Sequence, residues 1–152
     1  RSQLPPGVLA SSDRAVGRVV TVPIVGGGFV ADANLAARSR TGFDGALPAT
    51  GKVGAEIDAD AAKQLARVCV LNGLAAARTA IGSLDRITRV VKVVGFVASD
   101  PSFSGQPGVI NGASELLGEI FGEAGVHDRS AVGVAVLPLD APVEIEFVFE
   151  FA

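Results

Sequence analysis

The sequence predicts one α+β domain, in which two helices pack on one face of a mixed β-sheet. A β-hairpin, a helix, a strand, a second helix and two closing strands follow one another along 152 residues, which is the length of one ordinary domain. Each helix follows strand material and can therefore cover the sheet. Hydrophobic residues make up 49% of the chain and charged residues 19%, which provides a core and is not typical of a disordered protein.

The first third of the chain predicts a hairpin followed by a flexible loop. Residues 19–24 are rich in β-branched side chains, which favours a strand. Three glycines at 26–28 form the turn, and residues 29–31 can begin a return strand. Residues 32–52 are polar and punctuated by glycine and proline, and a loop of this length is usually functional or poorly ordered.

Two segments have the spacing of amphipathic helices. Asp58 can cap the first, whose apolar residues recur at helical spacing up to about Ile81, and Gly82 can end it. The second runs from about Pro107 to Gly122, with its apolar residues on one face and its glutamates mostly on the other. Both helices therefore have a side to bury.

Three further segments predict strands. Residues 86–97 are a β-branched run, and residues 130–137 and 142–151 form two closing strands joined by a turn at 138–141. In the last strand, apolar residues at the five odd positions from 143 to 151 alternate mainly with glutamates. This period of two requires that one face be buried while the other carries carboxylates.

Composition excludes several classes of function. Thirteen basic and sixteen acidic residues give a net charge of −3, which argues against nucleic-acid binding. With one cysteine, Cys69, and one histidine, His127, the chain has neither an internal disulfide nor a cysteine- or histidine-rich metal site. The most apolar early run, 19–31, is too short and too broken to span a membrane. We expect a cytoplasmic protein, because a free cysteine suits a reducing compartment.

Arg129 is the strongest candidate for a binding residue. It precedes an uncharged run, and burying its charge would require a partner. One interpretation is an ion pair with a glutamate of the next strand, at 144, 146 or 150. The other is a free guanidinium that binds a carboxylate or phosphate at two points. His127 is expected to be a solvated loop residue, and Cys69 to fill the core.

A family resemblance favours the second interpretation. Residues 129–138 read RSAVGVAVLP, and residues 143–146 read VEIE. Together they resemble the closing signature of the reactive-intermediate deaminase (Rid, also called YjgF) family, R-[ST]-x-V-x-V-x-x-L-P followed by [VI]-E-[IV]-E. Further matches are LDRI at 84–87, Phe96-Val97 and the second helix from Asn111. The resemblance covers about residues 51–151.

The resemblance implies a chorismate-mutase-like fold and a homotrimer with three clefts between subunits. It also implies hydrolysis of reactive enamines and imines derived from amino acids, which releases ammonia and a 2-keto acid without a cofactor. In this family the arginine at the position of Arg129 clamps the substrate carboxylate. Glu144 would lie near the attacking water, and Asn111 would line the cleft. The expected partners are a small carboxylate-bearing metabolite and other copies of the chain, not nucleic acid or a membrane.

Thr21, Ala131 and Gly133 are also expected to line the cleft. Thr21 stands where many members have a tyrosine, Ala131 where they have a cysteine, and Ala31-Asp32 where they have Ser-Gly. Backbone groups of residues 131–134 could polarise the substrate. The small residues on this strand, Ala131 and Gly133 among them, are expected on the face opposite the apolar side of the last strand, against another subunit.

The alternative is a non-catalytic trimer that binds a metabolite or serves a structural role. RNA cleavage, an activity also attributed to the family, ranks last because the chain is acidic and lacks a pair of histidines.

Overall fold

A computed structural model of the chain describes residues 18–25 and 47–152. Within these ranges the elements are β1 (Arg18–Val25), α1 (Ala59–Ile81), β2 (Ile87–Ala98), α2 (Gln106–Phe121), β3 (Asp128–Val134) and β4 (Val143–Phe151). Short 3-10 turns precede β2, follow α2 and connect β3 to β4. The predicted return strand at 29–31, the Ala31-Asp32 pair and residues 32–46 of the predicted loop lie outside the described residues.

The four strands form a mixed sheet in the order β1-β4-β2-β3. β4 is antiparallel to both β1 and β2, whereas β3 is parallel to β2. The parallel pair is connected through α2, because a parallel connection needs a crossover long enough to hold a helix. The two closing strands, β3 and β4, are therefore not neighbours, contrary to the expectation from sequence, since β2 lies between them.

Both helices pack on one face of the sheet, which confirms the predicted α+β architecture. Asp58 caps α1 by accepting a hydrogen bond from the Ala61 amide at 2.8 Å, and Gly82 ends the helix with a φ of 90°. The two helices approach closely at Gly112, where a Cβ would lie 2.2 Å from the carbonyl oxygen of Lys63. Only glycine permits this contact.

The alternation predicted for β4 separates the two faces of the sheet. Its five odd-numbered apolar side chains are buried under the helices, and the rings of Phe147 and Phe149 stack with centroids 5.7 Å apart. The even-numbered side chains, including Glu144 and Glu146, are half-buried on the other face. Neither α1 nor α2 covers that face.

β3 is displaced toward the N-terminus from its predicted position at 130–137. It begins at Asp128, opposite Lys92, and its last residue, Val134, lies opposite Ala98. β2 ends at Ala98, so residues 135–137 have no partner strand to pair with. The register of the partner strand therefore sets the bounds of β3.

Candidate active site

Arg129 lies at the start of β3, on the helix-covered side of the sheet. It is in register with Val93, which is fully buried in the core beneath the helices. The Arg129 side chain itself reaches the edge of the sheet and is exposed. Its Nη1 atom donates to Asn111 Oδ1 at 2.6 Å and to Ser114 Oγ at 3.3 Å.

The two acceptors of Arg129 belong to one face of α2. Asn111 and Ser114 are three residues apart and therefore neighbours on the helix surface. The adjacent face of α2 buries Ile110, Ala113 and Leu117 in the core. The apolar stripe of the helix thus fixes its rotation, and that rotation aims the polar pair at Arg129.

No acidic side chain of the described residues forms an ion pair with Arg129. This removes one of the two interpretations left open by the sequence, namely a pair with a glutamate of the next strand. The strand order explains it, because β2 separates β3 from β4. The guanidinium is held by an amide oxygen and a hydroxyl, both of which are neutral, and so its charge is not compensated within the described part of the chain.

His127 extends this network and is not the solvated loop residue expected from sequence. It is half-buried, with Nε2 at 3.0 Å from Ser114 Oγ and Nδ1 at 2.5 Å from the Gly125 carbonyl oxygen. Gly125 is itself buried against α2, where a Cβ would lie 2.4 Å from the Leu117 carbonyl oxygen. The one available signal was that His127 precedes Arg129 by two positions, which places both on the same side of an extended segment.

Arg129, Ser114 and His127 border an open depression of about 320 Å³. The rest of its lining is small or apolar, from Gly118, Gly125 and Val126. A depression with a cation at its edge and few competing acidic groups suits a small anion.

Glu144 does not lie beside Arg129 in the same chain. It is in register with Phe96, which in turn is in register with Val132, so that Glu144 lies on the face not covered by the helices. Burial, and to a lesser extent the neighbouring Glu146 carboxylate, raise the pKa of Glu144. The two residues proposed for catalysis are thus on opposite faces and separated by β2.

Ala131 and Gly133 are on the helix-covered side, so the prediction that they face away from the core was wrong. Ala131 is in register with Gly95 and packs against the core. A Cβ on Gly133 would lie 2.8 Å from Gln106 Nε2 of α2, and Gly133 lines a second depression of about 290 Å³. Parallel pairing with β2 determines this orientation. Thr21 lies opposite Val148 in the β1–β4 register.

No group of three or more histidine, cysteine, aspartate or glutamate side chains within residues 18–25 and 47–152 could hold a metal ion. Cys69 is buried in α1, as predicted. None of the helices in the described ranges combines the length and the apolar character needed to cross a bilayer.

Residues 9–152 match the model of the family described as "YjgF/chorismate_mutase-like, putative endoribonuclease". The chain belongs to this family. The match includes the whole sheet, both helices and the Arg129 network. The resemblance inferred from the closing motif is thereby confirmed.

Comparison with individual proteins shows how far the likeness extends. Protein TCP17 of Trypanosoma cruzi is 46% identical over 102 residues, which are 66% of this chain and 64% of that protein. The chain therefore spans slightly less than two thirds of this relative's length. The Agrobacterium tumefaciens protein Atu1372, of unknown function, is 45% identical, with a TM-score of 0.70 over 72% of this chain and 70% of its own. A Shewanella oneidensis structure titled a "putative endoribonuclease" is 25% identical, with a TM-score of 0.74 over 98% of this chain and 92% of its own.

Proposed function

We propose that this YjgF-family chain is a hydrolytic deaminase of small 2-imino acids and related enamines, active in clefts between the subunits of a homotrimer. One observation carries the proposal: Arg129 is exposed at the edge of a depression and, among the described residues, its hydrogen-bond partners are the neutral acceptors of Asn111 and Ser114. A fixed, uncompensated guanidinium is suited to two-point binding of a carboxylate.

The chemistry needs little beyond this positioning. The imine carbon is already electrophilic, so no covalent nucleophile has to be activated. Arg129 holds the carboxylate and thereby fixes the C=N bond relative to one water molecule. The water oxygen adds to the imine carbon, its protons pass to nitrogen, and cleavage of the C–N bond releases ammonia and leaves a 2-keto acid. No cofactor enters this balance.

Glu144 would contribute to the cleft from a second subunit. Its position on the face that the helices leave bare prevents it from meeting Arg129 of its own chain. That face also carries the half-buried side chains of Val94, Phe96 and Val148, which a neighbouring copy would cover. A carboxylate whose pKa is raised by burial is a stronger base, and Glu144 would orient or deprotonate the attacking water.

Two other functions are alternatives to deamination. A trimer that binds a carboxylate without turnover would use the same Arg129 network. Endoribonuclease activity, named in the family description, is less well supported here: the chain carries a net charge of −3 and one histidine, whereas RNA cleavage and binding call for paired acid–base groups and a basic surface.

The test measures ammonia release from a 2-imino acid generated in situ. We expect Arg129→Ala to lower kcat/KM at least about 100-fold, because the carboxylate loses its charged partner. Arg129→Lys should also be impaired, since an ammonium lacks the planar fork. Arg78→Ala is the matched control: this exposed arginine lies in the last turn of α1, which packs over β1 and β4 rather than over β3, and its loss should leave the rate unchanged.

Binding of a small 2-keto acid separates the alternatives. An enzyme and a non-catalytic binder should both show a ligand-dependent rise in Tm that Arg129→Ala abolishes. Only the enzyme accelerates ammonia release. Wild-type protein that neither binds the keto acid nor releases ammonia would leave a structural role, and unchanged turnover in Arg129→Ala would refute the assignment.

A further inference from the structure

We propose that Ser114 and His127 complete the anion site that Arg129 begins. In this proposal the Ser114 hydroxyl donates directly to the bound anion, and His127 is the positioning residue that releases this hydroxyl by taking up a proton. The inference rests on the carboxylate-binding role proposed for Arg129. It adds two residues to the site and a dependence of anion affinity on pH.

The neutral network leaves Ser114 without a hydrogen for a ligand. The Gly125 carbonyl can only accept, so His127 Nδ1 carries the hydrogen in their 2.5 Å contact. Nε2 of the neutral ring is then an acceptor, and the Ser114 hydroxyl donates to it across 3.0 Å. Arg129 Nη1 donates to the same hydroxyl oxygen. The single hydrogen of Ser114 is therefore engaged by His127.

Protonation of His127 reverses its contact with Ser114. Both ring nitrogens of an imidazolium are donors, so Nε2 must then donate to Ser114 Oγ. The hydroxyl oxygen accepts from His127 and Arg129 at once, and its hydrogen is freed. Because Ser114, His127 and Arg129 all border the same depression, an anion bound there can accept that hydrogen. The site gains a donor and a second positive charge in one step.

The charged groups on the elements around His127 do not take over the hydrogen bonding of its ring. They are Glu115 and Glu119 of α2, Glu123 of the following turn, Asp128 and Arg129 of β3 and Lys92 of β2. Glu115 and Glu119 are ion-paired with Lys63 and Arg67 of α1. None of the carboxylates within the described ranges forms an ion pair with His127. The Ser114 hydroxyl and the Gly125 carbonyl are its bonded neighbours.

The proposal predicts that anion affinity rises as pH falls and His127 takes up a proton. We expect the Kd of pyruvate, a 2-keto acid used as the probe, to be about five-fold lower near pH 6 than near pH 8. By linkage, bound pyruvate must favour the protonated ring to the same extent. His127 is the one histidine in the chain, so its ring signals can be followed by NMR without ambiguity.

The experiment measures pyruvate binding calorimetrically at both pH values, in wild type and four variants. His127→Gln and Ser114→Ala should each lose the pH dependence, and Ser114→Ala should also bind more weakly near pH 6. Arg129→Ala should not bind. Glu123→Gln, an exposed change in the 3-10 turn that precedes His127, is the matched control and should keep the full pH dependence. In the NMR titration, pyruvate should move the His127 midpoint to higher pH in wild type.

The outcomes distinguish this inference from the proposed function. Binding that requires Arg129 but is independent of pH, or that keeps its pH dependence in His127→Gln, overturns the inference and leaves the carboxylate clamp intact. Absence of pyruvate binding in wild type at both pH values overturns the inference, and if ammonia release is absent as well, the proposed function is overturned too. If His127→Gln does not fold, Ser114→Ala and the NMR titration of wild-type protein decide the question.

Discussion

The two faces of the sheet differ in how far the described part of the chain covers them. The helix-covered face is closed within the chain: α1 and α2 bury Val143, Ile145 and the three phenylalanines of β4. The other face has apolar side chains at Val94, Phe96 and Val148, yet neither α1 nor α2 lies over it, and it carries Glu144 and Glu146. The chain thus completes its core on one side and leaves a half-buried surface on the other.

The candidate site residues are divided between these two faces. Arg129 and its partners Asn111, Ser114 and His127 belong to the helix-covered side, whereas Glu144 belongs to the bare side. The register of the strands makes a meeting within one chain impossible without rebuilding the sheet. Under the proposed function, a cleft that uses both Arg129 and Glu144 therefore combines two copies of the chain.

The largest effect on stability is expected from removing a buried side chain of the helix-covered face. Phe147→Ala should lower the free energy of unfolding by about 3–5 kcal/mol, because a fully buried ring that stacks on Phe149 is lost and a cavity remains. Val148→Ala, one residue along the same strand, is the matched change on the bare face. It should cost less than about 1.5 kcal/mol in folding and instead raise the protein concentration at which the oligomer dissociates.

Denaturant unfolding at one fixed protein concentration measures the free energy of unfolding, and analytical ultracentrifugation measures the dissociation of the oligomer. Equal losses of folding stability in both variants would remove the distinction between the faces. A wild-type chain that sediments as a monomer would remove the reason for calling the bare face an interface.

The second effect tests whether Arg129 and Glu144 meet between subunits. Arg129→Ala and Glu144→Ala homo-oligomers should each have little deaminase activity. When the two variants are unfolded together and refolded as an equal mixture, about one quarter of the clefts should combine an intact Arg129 with an intact Glu144. We therefore expect roughly a quarter of the wild-type rate.

The matched control is an equal mixture of wild type and a double variant that carries both substitutions in one chain. It is unfolded and refolded in the same way. There, a quarter of the clefts again hold both intact residues, so the refolding efficiency can be calibrated directly. Activity of the variant mixture that stays at the level of the separate variants would show that the two residues act in the same chain or not together.

The smallest effect concerns the raised pKa of Glu144. Because its pKa is higher in the folded chain, the folded chain binds this proton more tightly, and the resulting stability is present at acidic pH and lost as pH rises through the raised pKa. Glu144→Gln should therefore match wild type below the ordinary pKa of glutamate and exceed it at neutral pH. The gain should be less than about 1 kcal/mol, because solvent screens a half-exposed carboxylate.

Urea unfolding of both proteins across this pH range gives the comparison. Glu123→Gln, an exposed glutamate of the turn that follows α2, serves as the control for the substitution itself. A Glu144→Gln variant that is less stable than wild type at neutral pH would contradict the assignment of Glu144 to a desolvated, like-charged position.

Much of the fold could be predicted from local pattern. The alternation in β4, the helical spacing after Asp58 and the stop at Gly82 each identified an element within one or two residues of its observed bounds. β3 was harder, because its limits depend on where β2 begins and ends. Arg129 and Asn111 were predicted together only through the family motif, and the structure joins them at 2.6 Å.

The sequence by itself determined the helices, the closing strand and the apolar residues that they bury, since periods of two and of about 3.6 residues record the contact of each element with a core. Only the tertiary structure decided the strand order, the side of the sheet on which each candidate residue lies and the partners of His127. Those features depend on pairings between residues far apart in the chain, such as Val93 with Arg129 and Phe96 with Glu144. A one-residue change of register would reverse every face without altering the local pattern from which the strands were predicted.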